Sequence, residues 1–134
     1  DAVYMLDWYA YGIGKVPTKV ATTYQNISDA WSLLIDQKWH DRVTAIKVSD
    51  GGLSYVEFFE YRKNKMSIPL FNIYCATGSN REYYAERTDL IQLGQTTQAI
   101  YFAKLTNEGE QSELALTGDE IKARFSLVNQ AWNN

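Results

Sequence analysis

Few side chains in this sequence could do chemistry. His40 is the single histidine and Cys75 the single cysteine of the 134-residue chain. A Ser-His-Asp or Cys-His relay sets an imidazole beside its nucleophile, so any such site must use His40. His40 follows Trp39 at the expected end of a helix, where a positive charge suits the dipole, and it reads as a surface residue. Cys75 lies in the apolar run Ile68 to Ala76 and reads as a small buried hydrophobe. A nucleophilic thiolate needs an accessible, electropositive setting. One His and one Cys cannot build the usual zinc cage, and no Asp-x-Asp-x-Asp-Gly calcium loop occurs. No metal and no other cofactor is implied. Glu57 with Glu60, and Glu82 with Glu86, are the carboxylate pairs that could act as acid and base on a glycoside. Their strand and helix spacings read as solvated faces instead. Gly12-Ile13-Gly14-Lys15 lacks the full spacing of a phosphate loop and reads as a turn. Asn26-Ile27-Ser28 fits a glycosylation sequon, but a helix cap explains the same residues.

The aromatic residues point further. Ten Tyr, four Trp and five Phe make up 14% of the chain. Tyr4, Trp8, Tyr9, Tyr11, Tyr83 and Tyr84 are more than a sheet of this size must bury. If exposed together, they form a patch that binds sugars, peptides or partner proteins. The competing reading packs them between sheet and helices. The formal charge of −3 argues against nucleic acid, which needs a concentrated basic face. The dense basic group Arg62, Lys63 and Lys65 falls in an expected turn. No apolar run is long enough to cross a bilayer as a helix.

These residues must be positioned by a mainly β framework. Alternating and β-prone runs predict strands over 3–11, 16–23, 43–49, 53–61, 68–76, 90–93 and 97–105. Asp50-Gly51-Gly52 is a hairpin turn, and a second hairpin is expected around Gly94-Gln95. A cap at Asn26 to Asp29 followed by Ile27, Trp31, Leu34 and Ile35 predicts a helix over 27–39. A short helix is expected at 81–87 and an exposed acidic loop at 106–115. Thr117 and Glu120 have capping-box spacing, and Ile121, Phe125, Val128 and Trp132 extend the helical pattern, predicting a helix over 117–132. The fold class is α+β: a mainly antiparallel sheet of five to seven strands covered by two principal helices, about 27–39 and 117–132. The chain reads as one domain, 1–134, with residues 1–23 adding a strand hairpin to a core at 27–133.

Several local patterns suggest a family. Trp39-His40-Asp41-Arg42-Val43 is a Trp leading through a charged pair into a strand. Leu70-Phe71-Asn72-Ile73 ends the middle of the sheet. Tyr83-Tyr84 follows in a loop, and Leu93-Gly94 precedes the aromatic strand Ala99-Ile100-Tyr101-Phe102. On these residues the segment Trp39 to Leu105 resembles an uncharacterised domain of exported proteins and lipoproteins of Gram-positive bacteria. Its order of elements is similar to the PsbP-type α/β/α sandwich. The resemblance implies an extracellular or cell-surface location, with lipid anchoring through a preceding segment. The start at Asp1 rather than Met reads as a processed or truncated chain.

The expected function is therefore a non-enzymatic binding or interaction domain of an exported bacterial protein. Its partner would be a protein or a cell-wall or carbohydrate ligand. Two other readings stand beside it. One is a small hydrolase using His40 with Asp41 or a distant carboxylate. The other is a structural fragment of a larger exported protein.

Overall fold

Period-two alternation governs most of this chain, and it builds two separate antiparallel sheets. The computed structural model describes residues 3–10, 18–62 and 65–128, with side chains over 23–61 and 68–128. The residues group into two compact units, 1–37 with 124–134, and 38–123. The class is α+β, as the patterning predicts. The strands, however, divide between two sheets rather than forming one of five to seven.

The first unit holds a four-stranded sheet. Its strands are β1 (Val3–Ala10), β2 (Thr18–Asn26), β3 (Trp31–Leu34) and β9 (Phe125–Leu127), ordered β1-β2-β3-β9. The expected helix over 27–39 is absent. Asn26 Oδ1 accepts from the Asp29 N–H and the Ser28 hydroxyl, both at 3.1 Å, and its amide donates to Asp29 Oδ2 at 3.2 Å. This chemistry can start a helix, but it can equally close a turn. Ala30 sits at φ 64°, a left-handed conformation that a right-handed helix cannot continue through. The chain therefore doubles back as β3, with Asn26 opposite Trp31 and Tyr24 opposite Leu33. Trp31 and Leu33 alternate into the interior and are fully buried. A 3₁₀ turn at Gln37–Trp39 is all the helix that remains.

The helix expected over 117–132 is interrupted by a strand, and residues 129–132 of it lie outside the described residues. The capping box forms: Glu120 N–H donates to Thr117 Oγ1 at 3.1 Å and Thr117 N–H to Glu120 Oε1 at 3.0 Å. The helix then runs over Gly118–Arg124, and Phe125–Leu127 extend as β9 against β3. Trp132 lies outside the described residues. Strand pairing wins here because Phe125 stacks on Trp31 at 5.7 Å, while Trp31 meets Tyr24 at 5.6 Å on its other side. Arg124 donates to Asp36 Oδ2 at 3.0 Å and reinforces the join.

Burial, with Asp29 adding to it, pushes the Tyr24 phenol above its ordinary range. Its folded-state pKa is thus raised above the unfolded value. Its contribution is complete below about pH 10 and declines above that, where only the unfolded chain can ionise. Tyr24→Phe is expected to flatten the alkaline limb of stability against pH, measured by denaturant unfolding between neutral and strongly alkaline pH. An unchanged limb would show that Tyr24 does not govern it.

The second unit holds a five-stranded sheet. Its strands are β4 (Val43–Asp50), β5 (Leu53–Arg62), β6 (Lys65–Thr77), β7 (Ile91–Gln95) and β8 (Ala99–Leu105), ordered β4-β5-β6-β8-β7. Gly51 at φ 61° and Gly52 make the two-residue β4–β5 turn. The β7–β8 turn lies at Thr96–Gln98 rather than at Gly94-Gln95. Thr96 Oγ1 accepts from the N–H groups of Gln98 and Ala99, which closes that turn, and Gly94 sits instead at a register shift inside β7.

One face of this sheet is closed. Val56, Phe58 and Glu60 on β5 share it with Phe71 and Ile73 on β6, and all five are buried. Trp39 caps the stack at 5.8 Å from Phe58 and 5.7 Å from Phe71. The segment 106–115, expected as an exposed loop, covers this face. It forms the short helix α2 (Asn107–Glu110) and buries Gly109 and Leu114. Ser112 donates to the buried Glu60 carboxylate at 2.6 Å, and Trp39 Nε1–H donates to the Leu114 carbonyl at 2.7 Å. The acidic sequence hid two anchoring apolar residues, Leu114 and Leu116.

Candidate functional site

The opposite face of the five-stranded sheet is only partly covered. Alternation places Tyr55, Glu57 and Phe59 there, across β5 from the buried set. The register lines up two rows over the strands. Tyr55 stands opposite Tyr74 and Tyr74 opposite Phe102, while the adjacent row is Glu57, Asn72 and Lys104.

The aromatic row is continuous. Tyr55 and Tyr74 rings are 5.0 Å apart, and Tyr74 stacks on Phe102 at 4.9 Å with planes only 10° apart. Tyr84 stacks on Phe102 at 5.2 Å, and Tyr83 meets Tyr84 edge-on at 5.4 Å. The last two come from α1 (Arg81–Ala85), which lies over the β8 end of this face with Leu90. Phe102 is thereby buried, Tyr55, Tyr74 and Tyr84 remain half-buried, and Tyr83 is 63% exposed. Offset stacking of this kind favours a fixed platform over independent rotamers.

The polar row lies beside it. Asn72 Nδ2 donates to the Tyr74 hydroxyl at 3.1 Å, which orients both groups. Glu57 is half-buried and Lys104 exposed. At the other end Arg87 stands over the Tyr83 ring at 6.0 Å and is held by Asp89 through two hydrogen bonds. The Arg87 guanidinium in turn keeps the Asp89 carboxyl below the usual carboxylate range. Gln92 donates to the Tyr84 carbonyl at 3.2 Å and ties α1 to β7.

The residues singled out from sequence fare differently. Tyr83 and Tyr84 belong to this platform. Tyr4, Trp8 and Tyr9 are on β1, where side chains are outside the described residues, and Tyr11 is outside them altogether. His40 is 70% exposed in the turn before β4, with Nε2 3.3 Å from Asp41 Oδ2. Cys75 is buried within β6. Glu57 and Glu60 point to opposite faces of β5 and so cannot work as one carboxylate pair. Glu82 and Glu86 are exposed on and just after α1. Among the described residues no group of three metal-ligating side chains assembles. No helix of the described residues is long and apolar enough to cross a membrane.

Tyr55, Tyr74 and Phe102 were missed as a group because they lie on three strands. Only the cross-strand register shows that they are neighbours. What the arrangement offers chemically is flat apolar rings beside an amide, a carboxylate and an ammonium. Compared with protein-family models, curated proteins and solved structures, the chain matches none.

Proposed function

We propose that this chain is a binding domain that takes a carbohydrate on the partly open face of its five-stranded sheet. The aromatic row Tyr55–Tyr74 with the polar row Glu57–Asn72–Lys104 beside it is the observation that carries this reading. A sugar ring has apolar C–H faces that stack on aromatic rings, and equatorial hydroxyls that bond sideways to amide, carboxylate and ammonium groups. The two rows supply those partners side by side. A ligand seated there would meet rings already fixed by stacking, so little side-chain entropy is lost on binding. The likeness of Trp39 to Leu105 to domains of exported Gram-positive proteins supports placing the ligand at the cell wall or surface. Fractionation of the producing cell tests that location.

Titration calorimetry with soluble cell-wall glycans and neutral oligosaccharides tests the site. Tyr55→Ala and Tyr74→Ala are each expected to weaken binding about tenfold, the equivalent of one lost aromatic contact, with the circular dichroism spectrum unchanged. Absence of binding across the panel, or folded variants that bind as the parent does, would refute the proposal.

A further inference from the structure

Glu57 stands on the partly open face without a counter-charge. The register puts Ile46 of β4 on one side of it and Asn72 of β6 on the other. Along β5 its neighbours on the same face are Tyr55 and Phe59. Two aromatic rings, one aliphatic side chain and one neutral amide therefore surround the carboxylate, and none of them can neutralise it. Among the described residues no hydrogen bond or ion pair reaches this carboxylate. Tyr55, Glu57, Phe59 and Asn72 are half-buried and Ile46 is 38% exposed, so none of these side chains is sealed from solvent.

The neighbouring charges have other partners. Glu60, the second carboxylate of this pair on β5, takes its donor from Ser112 on the closed face. Lys104 shares the row with Glu57 but stands two strands away, roughly 10 Å by strand spacing and about one screening length at physiological salt. Asp89 lies close enough to Lys104 to feel its charge, and the same carboxylate holds Arg87 through two hydrogen bonds. Lys104 and Arg87 thus share Asp89 at the β8 end of the face. At the β5 end the negative charge of Glu57 remains uncompensated.

We propose that the carbohydrate is an amino sugar with a free, protonated amine, and that Glu57 is the residue that selects it. This inference rests on the carbohydrate reading above and narrows it to one class of sugar. The aromatic row and the Glu57 row are about 7 Å apart, two residues along the strand. A sugar ring stacked on Tyr55 and Tyr74 therefore directs an equatorial substituent sideways toward Glu57. An ammonium there donates to the Glu57 carboxylate in a charge-assisted bond. Asn72 already gives its Nδ2 to the Tyr74 hydroxyl, which leaves its Oδ1 to accept a second N–H of the same ammonium. The rings of Tyr55 and Phe59 add cation–π attraction. A sugar hydroxyl can donate to Glu57 but leaves its charge uncompensated. An N-acetyl group carries no charge and a single N–H. A lysine side chain brings the charge but no flat ring for Tyr55 and Tyr74.

Titration calorimetry of the full chain tests it, with glucosamine oligosaccharides set against their N-acetylated counterparts of the same length and linkage. Both are measured at about pH 6, below the range in which amino groups lose their proton. The free-amine form is expected to bind at least about tenfold more tightly, as one charge-assisted hydrogen bond requires. That advantage should shrink as salt is raised. Glu57→Gln keeps the shape and removes the charge, so it should cancel the preference while still binding the acetylated form. Lys104→Gln should retain the preference. Equal binding of the two forms by the parent, with Tyr74→Ala weakening both, would overturn the amine assignment and leave the carbohydrate reading standing. A preference that survives in a folded Glu57→Gln chain, or a lysine peptide bound as tightly as the amino sugar, would overturn it as well. No binding of either form would do the same, and no binding of any glycan would remove the carbohydrate reading with it.

Discussion

Trp39→Ala is expected to destabilise the chain by about 3–5 kcal/mol, a large share of what a domain of this size possesses. Trp39 is only 2% exposed. Its ring lies against both members of the Phe58–Phe71 stack, whose centroids are 4.9 Å apart. Its indole N–H reaches the Leu114 carbonyl, so one side chain fastens the segment after α2 to the closed face of the sheet. Removing it loses the packing of a large ring and leaves a buried carbonyl without its donor. Trp39→Phe separates the two effects. It retains much of the apolar contact but not the hydrogen bond, and a cost of about 1–3 kcal/mol is expected. Urea unfolding of the full chain should therefore rank parent, Phe and Ala in that order. A Trp39→Ala protein within about 1 kcal/mol of the parent would show that this ring is not the fastening.

The same residue shows what could be read in advance. Trp39-His40-Asp41-Arg42-Val43 marks the entry to a strand, and β4 begins at Val43. From there to Leu105 the strands follow the alternation, because one face of β5 and β6 is buried, while the β7–β8 turn falls at Thr96–Gln98, beyond the Gly94-Gln95 signal. The errors fall where one sequence serves two local structures. Asn26 to Asp29 has the side chains of a helix cap, and these same side chains close a turn into β3. Trp31, Leu34 and Ile35 fit a helical stripe, while Trp31 and Leu33 fit a strand. Phe125 decides between them by stacking on Trp31 from the far end of the chain, and that partner has no local signature. Phe125 likewise fits the helical pattern after Ile121, and only its pairing with Leu33 on β3 makes it strand.

The candidate site divides along the same line. Tyr83 and Tyr84 are adjacent in sequence, so a patch there was legible. Tyr55, Tyr74 and Phe102 become one platform only through the β5–β6–β8 register. The register also separates Glu57 from Glu60, giving one carboxylate to the polar row and sending the other to Ser112. Two residues of one type on one strand thus have unrelated environments. Their spacing alone gives the parity of the faces but not which face is closed.

Gly109→Ala reverses the sign expected from helix propensity. Alanine normally stabilises a helix relative to glycine by about 1 kcal/mol. Gly109 lies in α2, where a methyl group would stand 2.2 Å from the Leu70 carbonyl oxygen and 2.6 Å from Leu70 Cα. Both obstacles are main chain, in the middle strand of the sheet, and cannot rotate aside. Thr106 fixes the approach from the other direction. Its hydroxyl accepts from Gly109 N–H at 2.8 Å and lies 2.5 Å from the Pro69 carbonyl oxygen, to which it donates. Cap and strand together hold α2 against β6, and an added methyl must force them apart. A loss of about 3 kcal/mol or more is expected for Gly109→Ala. Thr106→Ala, which removes the cap but adds no bulk, should cost about 1 kcal/mol. Glu108→Ala, exposed on the same short helix, should be close to neutral. Denaturant unfolding of the three variants checks the order. A Gly109→Ala chain as stable as the parent, or more so, would mean that α2 does not sit this close to β6.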